Sequence, residues 1–310
     1  MPLDPLAKRL LTMMAAASPG GRSRPTADDR RQALAKLMQF ARADVPPLIG
    51  TDGSLPGPAE DIPYRLYDSG VSELPLPGFV FFHGGGMVAG SIETHDRICA
   101  ALAQMTGCHL VSVGYRLAPE HKFPAAIEDA IAATQWISER AGSLGIDATK
   151  LIVGGDSAGA TLSAVACQHA LQNSGPAIAL QCLICPVLDF DEPSPSRQAF
   201  AENHLLDKTT IDADLVDYLP GDADPADVRI SPLRANDLAG LPAAIIHTAE
   251  FDPMRDEGNA YARKLTASGV TVEHVCHDGM IHNFHAMGAI LPQGKLVLLQ
   301  IGEQIRRMVG

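Results

Sequence analysis

The sequence predicts an α/β fold in which a mostly parallel central sheet is covered by helices on both faces. Short apolar runs, typical of buried strands, alternate with segments that have helical spacing, from about residue 61 to the end of the chain. In addition, glycine-rich segments directly follow two of the apolar runs, as expected where strands end in tight turns. With 310 residues, the chain can form one large domain or a domain with an appended lid.

The core is predicted to begin near residue 61. Apolar residues at 62, 64 and 66 alternate with their neighbours, as in a half-buried strand, whereas the runs at 78–82 and 151–153 are apolar. Further strands are predicted at 109–113, 178–184, 243–248 and 271–276, and helices at 94–105, 125–141, 160–171, 256–267 and 297–308. This alternation of strands and helices predicts the mostly parallel sheet.

Two helices are predicted before the core, at residues 5–17 and 26–42, and a Pro- and Gly-rich loop separates them. Thr26 can cap the second helix, and Leu34 and Leu37 lie on one of its faces at helical spacing. No strand accompanies these helices. Residues 1–46 are therefore interpreted as cap helices appended to a catalytic domain at residues 47–310.

The alternation fails between residues 189 and 231, where Pro and Asp are frequent and only a weak helix near 208–219 is predicted. This segment is interpreted as a cap insertion at about residues 190–230. Insertions at the carboxyl ends of strands in such sheets lie over the ligand crevice. Together with the first two helices, the insertion is expected to form a lid.

The charge of the chain excludes some partners. A formal net charge of −12 argues against binding to nucleic acid or to an anionic membrane, because both require clustered Lys and Arg. The start of the chain lacks the basic-then-apolar order of a secretory signal, and no apolar run reaches transmembrane length. A cytoplasmic protein without stable membrane insertion is therefore expected.

Six cysteines are scattered in apolar segments, where buried thiols are expected. Cys182 and Cys185 have C-x-x-C spacing, but they lie at a predicted strand, without a second cysteine pair or a nearby histidine cluster. Neither a metal nor another cofactor is expected.

The segment Gly155-Asp-Ser-Ala-Gly159 has the pattern of a nucleophile elbow, in which a strand turns sharply into a helix and exposes a serine at the tip. Glycines suit a strained turn in which neighbouring side chains would collide. The following helix would direct its positive end toward Ser157, which favours a developing oxyanion. Ser157 is therefore the candidate nucleophile.

The segment His83-Gly-Gly-Gly86 directly follows the predicted strand at 78–82. A glycine run at this position allows backbone N–H groups to converge on one point, as the oxyanion of a tetrahedral intermediate requires. A flexible turn is the alternative interpretation. The presence of the elbow at the end of another strand favours the oxyanion hole.

A serine nucleophile needs a base, and that base needs an orienting carboxylate. Because the chain order in hydrolases of this architecture is serine, acid, histidine, Asp252 and His282, at the ends of the last two predicted strands, are the candidates. Glu250 is the rival acid. The other downstream histidines are less well placed: His247 lies inside a strand, His274 and His277 lie in or just after the last strand, and His285 is expected to begin the following helix.

The sequence resembles bacterial members of the hormone-sensitive lipase family of α/β-hydrolases. The matching segments occur in the order of that family and span most of the core: His83-Gly-Gly-Gly86, Tyr115-Arg-Leu-Ala-Pro-Glu-His121, Gly155-Asp-Ser-Ala-Gly159, Asp252-Pro-Met-Arg-Asp-Glu257 and His282-Asn-Phe284. This resemblance implies an α/β-hydrolase fold with a two-part cap. It also implies a cofactor-free carboxylesterase that acts on short-chain acyl esters.

The resemblance implies a role for each matching residue. Ser157 would be the nucleophile, His282 the base and Asp252 its orienting acid. The oxyanion hole would be formed by the backbone N–H groups of Gly84, Gly85 and Ala158. Arg116 and Glu120 are expected to form structural ion pairs, and Asp156 is expected to stabilise the elbow by hydrogen bonding.

Two alternatives to an esterase remain at this stage. One is a binding protein on the same fold, although His282 is present and related plant hormone receptors lack a working histidine. The other is an amidase or acyltransferase that uses the same residues. The resemblance also allows a homodimer formed through the sheet edge near residues 270–276.

Overall fold

The structure is a computed structural model that describes residues 1–17, 24–41, 48–70, 75–191 and 194–310. The strands are β1 (Thr51–Leu55), β2 (Ile62–Tyr67), β3 (Leu76–Phe82), β4 (His109–Val113), β5 (Ile146–Asp156), β6 (Ile178–Ile184), β7 (Ala243–Phe251) and β8 (Val272–Ile281). They form one sheet in the order β1-β2-β4-β3-β5-β6-β7-β8. Only β2 runs antiparallel to its neighbours β1 and β4, so the predicted fold class is confirmed.

The α-helices are α1 (Pro5–Ala17), α2 (Ala27–Ala41), α3 (Ile92–Thr106), α4 (Ala125–Glu139), α5 (Ala158–Gln172), α6 (Pro195–Ala199), α7 (Lys208–Tyr218), α8 (Arg255–Ala267) and α9 (Pro292–Val309). Short 3₁₀ helices cover Ala141–Leu144, Pro232–Arg234 and Phe284–Ala286. Within the described ranges, no helix is both long enough and apolar enough to cross a membrane.

Most predicted elements lie where the patterns placed them, but β1 was not predicted. Its sequence is polar and contains a glycine, and only Leu55 is buried. The strand is held by antiparallel pairing with the next strand, β2, and this backbone pairing leaves no alternating apolar pattern in β1 itself. Most of the predicted loop at residues 18–25, the helix end at Arg42 and the proposed boundary at residues 46–47 lie outside the described residues.

The central strand β3 shows why the sheet is covered on both faces. Val80 and Phe82 belong to one buried apolar cluster, Phe79 and Phe81 belong to the other, and all four are fully buried. Successive side chains of a strand point to opposite faces, so an entirely apolar strand must have apolar neighbours on both sides. Burial on both faces of the sheet therefore explains why β3 is continuously apolar in the sequence.

Four strand ends carry the candidate site. Strand β3 ends directly before His83, and β5 ends directly before Ser157. Strand β7 ends directly before Asp252, and β8 ends directly before His282. Because these strands all run parallel in the part of the sheet from β3 to β8, their carboxyl ends meet at one edge, where ligands bind in open α/β sheets.

The expected structural role of Arg116 and Glu120 is compatible with their contacts. The Arg116 guanidinium forms an ion pair with buried Asp129, with a shortest N–O distance of 2.7 Å. Glu120 accepts hydrogen bonds from Arg31 of α2, at 2.6 and 2.9 Å. The second pair joins α2 to the segment between β4 and α4, so this helix is tied to the core although it lies outside the strand alternation.

Candidate active site

Ser157 occupies a tight turn between β5 and α5. Its φ of 52° and ψ of −117° lie in a strained region for a residue with a side chain, at a cost of about 1–3 kcal/mol. Flanking glycines allow the close approach that holds this turn: a Cβ added to Gly155 would lie 2.2 Å from the carbonyl oxygen of Phe82, and one added to Gly159 would lie 1.9 Å from the same oxygen. The elbow is therefore packed directly against the end of β3.

The three candidate catalytic side chains form one chain of hydrogen bonds. His282 Nδ1 lies 2.8 Å from Asp252 Oδ2, and His282 Nε2 lies 3.1 Å from Ser157 Oγ. An ionised carboxylate can only accept, so Nδ1–H donates to Asp252 and Nε2 is left to accept from the serine hydroxyl. The second oxygen of Asp252 accepts from the Met254 N–H at 2.8 Å, which fixes the carboxylate. All three side chains are buried.

The rival residues have other partners. The Glu250 carboxylate accepts from the amino terminus of Met1 at 2.6 Å and from the Gly279 N–H at 2.7 Å. His247 lies 2.8 Å from His277 Nε2 and 2.8 Å from Gln304 Oε1. His274 Nε2 contacts the Thr248 hydroxyl at 3.1 Å.

The position of His285 differs from the expectation. It was expected to begin the last helix, but it lies fully buried in the 3₁₀ helix Phe284–Ala286, and α9 begins later, at Pro292. Its Nε2 faces Asp156 Oδ2 at 3.6 Å. This histidine therefore belongs to the surroundings of the elbow.

The glycine loop contains two of the predicted oxyanion donors. The Gly84 N–H donates to Asp156 Oδ1 at 3.0 Å, so this predicted donor already has a buried acceptor. Gly85 and Gly86 follow at φ values of 125° and 65°, and both line the same cavity as Ser157 and Ala158. Gly86 was not among the predicted donors, because three consecutive glycines give no sequence signal of which N–H groups bond within the protein.

The electrostatic environment favours a basic His282. Burial lowers the pKa of this imidazole, but the charge and hydrogen bond of Asp252 raise it more, with further contributions from the negative charges of Asp156 and Glu257. The net effect is a pKa above the ordinary value of 6.5. The side chain is thus suited to accept a proton from Ser157 and return it later.

A cavity of about 350 Å³ opens over Ser157. Its polar floor is formed by Ser157, His282, Asn283 and the two glycines Gly85 and Gly86. Most other lining side chains are apolar and come from α1, α2, the segment after β6 and the turn before α8: Met14, Ala33, Leu34, Leu37, Val187, Phe190, Leu205, Leu206, Ile211 and Met254. Both predicted cap segments therefore contribute to the wall of the site.

An ionic cluster joins the two cap segments at this wall. Arg30 of α2 is paired with both Asp214 and Asp217 of α7, and Arg24 also binds Asp217. Burial raises the pKa of Asp214 to about 7, although the Arg30 charge acts in the opposite direction. Asp214 packs against Gly86: a Cβ added to that glycine would lie 2.0 Å from Asp214 Oδ2. A side chain at position 86 would therefore collide with the Asp214 carboxylate.

Cys185 lies beside the candidate acid and base. Its Sγ and the nearest ligand atoms of Asp252 and His282 all lie within 4.8 Å of one another. Burial and the Asp252 charge raise the pKa of this thiol, so it is protonated. In the part of the chain that the structure describes, this is the one group of three potential metal ligands, and two of its members are already joined by a hydrogen bond. All six cysteines are free thiols.

Comparisons with known proteins show which family this chain resembles. A family model described as alpha/beta hydrolase fold matches residues 79–286. Carboxylic ester hydrolase LipN of Mycobacterium tuberculosis is 45% identical over 241 residues, which are 76% of this chain and 64% of the relative. The chain thus spans slightly less than two thirds of that relative's length. Ethyl acetate hydrolase of Pseudomonas putida is 35% identical over 316 residues, or 99% of each chain.

Solved structures show the same similarity. The structure of an ester-hydrolase from the metagenome of Lake Arreo, complexed with a derivative of bipyridine phosphonate, superposes with a TM-score of 0.94. The two sequences are 40% identical, and the match covers 98% of each chain.

Proposed function

Because this chain belongs to the α/β-hydrolase family of carboxylesterases, we propose that it cleaves short-chain acyl esters through an acyl-enzyme formed on Ser157. The predicted resemblance to the hormone-sensitive lipase family is confirmed by this membership. The triad, the oxyanion hole and the chain-length preference are the proposed parts of the function.

One arrangement supports this mechanism above all others: Ser157, His282 and Asp252 lie at three strand ends and form an unbroken chain of hydrogen bonds. Ser157 Oγ would attack the ester carbonyl carbon while its proton passes to His282 Nε2. Asp252 holds the imidazole in the tautomer that can accept this proton, and stabilises the imidazolium that forms. The negative charge develops on the carbonyl oxygen, next to the N–H groups of Gly85, Gly86 and Ala158.

Collapse of this intermediate breaks the bond to the alcohol oxygen. The imidazolium returns its proton to that oxygen, so the alcohol leaves neutral and the acyl group remains on Ser157. A water molecule then attacks the acyl-enzyme, with His282 again as the base, and releases the carboxylic acid and free Ser157. Every proton transfer in this cycle uses the same nitrogen of His282.

The cavity supports a preference for small acyl esters. Its volume of about 350 Å³ is at the lower end for ligand sites, and side chains of α2 and α7 line it together with Ser157. We expect activity on p-nitrophenyl esters with acyl chains of about two to six carbons and little on palmitate, with Ser157→Ala as the blank. A wild-type enzyme that prefers palmitate would contradict the short-chain proposal.

The limit on acyl-chain length can be tested by enlarging the cavity at its apolar wall. Truncating Leu34 and Ile211 to Ala should lengthen the apolar cavity and raise the ratio of octanoate to butyrate kcat/KM by roughly tenfold, because apolar pockets discriminate by about this factor per methylene. Leu6→Ala is the matched control, since Leu6 lies on α1 with 41% of its surface exposed. An unchanged ratio in the double variant would place the acyl chain elsewhere.

The pH profile is expected to report His282. Neutral imidazole is the competent base, so kcat/KM should rise with pH, and a raised pKa moves the midpoint of this rise above the ordinary value of 6.5. Kinetics with a butyrate ester between pH 5 and 9 measure this midpoint, and circular dichroism over the same range checks that the fold is retained. A midpoint below 6.5 would contradict the assigned environment of His282.

The remaining catalytic alternatives use the same residues and are distinguished by product analysis. Parallel reactions with a butyrate ester, the matching anilide and an added alcohol acceptor give hydrolysis, amidase and acyl-transfer rates. We expect the ester hydrolysis rate to be the largest. A non-catalytic binding protein would show no turnover in any of the three.

A further inference from the structure

Asp156 precedes the nucleophile and is fully buried, but the reaction described above does not use it. Its Oδ1 accepts the Gly84 N–H at 3.0 Å, which joins the elbow on β5 to the glycine loop after β3. The second carboxylate oxygen also packs closely against this glycine, because a Cβ added to Gly84 would lie 2.4 Å from Asp156 Oδ2. The carboxylate thus fixes the residue directly before Gly85 and Gly86.

The carbonyl group of the same peptide is also held by a hydrogen bond. The Tyr115 hydroxyl donates to the carbonyl oxygen of His83 at 2.7 Å, and the two rings stack with centroids 4.4 Å apart. The peptide group between His83 and Gly84 is therefore held on both sides, by Tyr115 at its oxygen and by Asp156 at its nitrogen. The Gly85 carbonyl oxygen also accepts from the Val88 and Ala89 N–H groups at 3.1 and 2.8 Å, so the loop that carries the next two N–H groups is restrained on both sides.

Two buried imidazoles face the second oxygen of Asp156. His95 Nε2 of α3 lies 3.5 Å from Oδ2, and His285 Nε2 of the 3₁₀ helix Phe284–Ala286 lies 3.6 Å from it. Although burial opposes ionisation, the two histidines hold the pKa of Asp156 well below its usual range. Oδ2 and the facing histidine nitrogens have no hydrogen-bond partner among the described residues. A buried negative charge therefore persists next to the elbow.

We propose that Asp156 is a positioning residue that holds the oxyanion-binding loop through its hydrogen bond to the Gly84 N–H. This inference depends on the proposed function, because it assigns the N–H groups of Gly85 and Gly86 to the oxyanion. The Asp156 charge also raises the pKa of His282, in the same direction as the charges of Asp252 and Glu257, so its removal is expected to lower that pKa. The two effects can be separated by two substitutions.

Asp156→Asn keeps an oxygen that can accept from Gly84 but removes the charge. We expect the acidic limb of kcat/KM to move to lower pH, with kcat within about tenfold of wild type. Asp156→Ala removes both the charge and the acceptor. We expect the same limb shift and, in addition, a loss of about 100-fold in kcat with KM for butyrate nearly unchanged, because oxyanion donors act mainly in the transition state.

A boronic acid, which forms a tetrahedral anion on serine, gives an independent measurement. Its affinity should fall in Asp156→Ala by about the same factor as kcat, and much less in Asp156→Asn. Gly84→Ala, which pushes the loop away from the carboxylate, should reproduce the kcat loss without the limb shift. This variant therefore tests the contribution of the loop to kcat if Asp156→Ala fails to fold.

Asp129→Asn is the matched control, because Asp129 is equally buried and pairs with Arg116 instead of the loop. This substitution should lower the free energy of unfolding without changing the pH dependence of kcat/KM or the affinity for the boronic acid. A folded Asp156→Ala enzyme with wild-type kcat and wild-type affinity for the boronic acid would overturn the inference. If Ser157→Ala retained wild-type activity, the proposed function itself would fail, which is a separate outcome.

Discussion

Replacing Ser157 or His282 by Ala is expected to lower kcat by about four to six orders of magnitude, the largest effect of any substitution in this chain. Ser157→Ala removes the atom that would form the acyl-enzyme. His282→Ala leaves a serine hydroxyl without a base, and that hydroxyl is a weak nucleophile at neutral pH. Steady-state kinetics with a butyrate ester and intact-protein mass spectrometry of the trapped acyl-enzyme measure both losses.

The three residues are expected to act as a unit. The double variant Ser157→Ala/His282→Ala should therefore be little worse than either single variant. Asp252→Asn should lower kcat by about 10⁴-fold, since it would favour the wrong imidazole tautomer. Glu250→Gln is the control, because Glu250 binds the amino terminus and Gly279 instead of the histidine. Near-wild-type activity of Asp252→Asn with a loss in Glu250→Gln would reverse the acid assignment.

The location of the candidate site was predictable from the sequence because the ends of strands have recognisable local sequence patterns. Apolar runs followed directly by glycine or polar motifs placed Ser157, Asp252 and His282 on separate strands. A parallel sheet then brings its carboxyl ends to one edge without further information. The predicted strands were too short at this edge. Gly154 and Gly155 interrupt the apolar pattern although they pair with β6, and Glu250 lies at a register shift between β7 and β8.

What the sequence could not provide depends on contacts between distant residues. The hydrogen bond between Gly84 and Asp156 joins residues on two strands, and it decides which glycine N–H groups remain for a substrate. The pairing of Arg30 with Asp214 and Asp217 joins α2 to a helix more than 180 positions away along the chain. Charged residues on a helix normally indicate a solvated face, so no local pattern distinguishes this cluster.

Gly159→Ala is expected to produce the second largest effect, through the fold instead of the chemistry. The new methyl carbon would lie 1.9 Å from the carbonyl oxygen of Phe82 and 2.7 Å from that of His83. These are backbone atoms of a fully buried strand end, so no side-chain rotation can relieve the collision. We expect a loss of about 3 kcal/mol in the free energy of unfolding. Activity should fall with it, because separating α5 from β3 moves Ser157 away from Gly85 and Gly86.

Gly142→Ala is the control for this substitution. Gly142 lies in the 3₁₀ helix Ala141–Leu144, and a Cβ there would meet no atom within 4 Å. The same added methyl group should therefore leave both urea denaturation and butyrate hydrolysis nearly unchanged. A wild-type midpoint and wild-type kcat in Gly159→Ala would mean that β3 and α5 are farther apart than the elbow geometry requires. The close approach of these two elements would then not be what holds Ser157 in its strained turn.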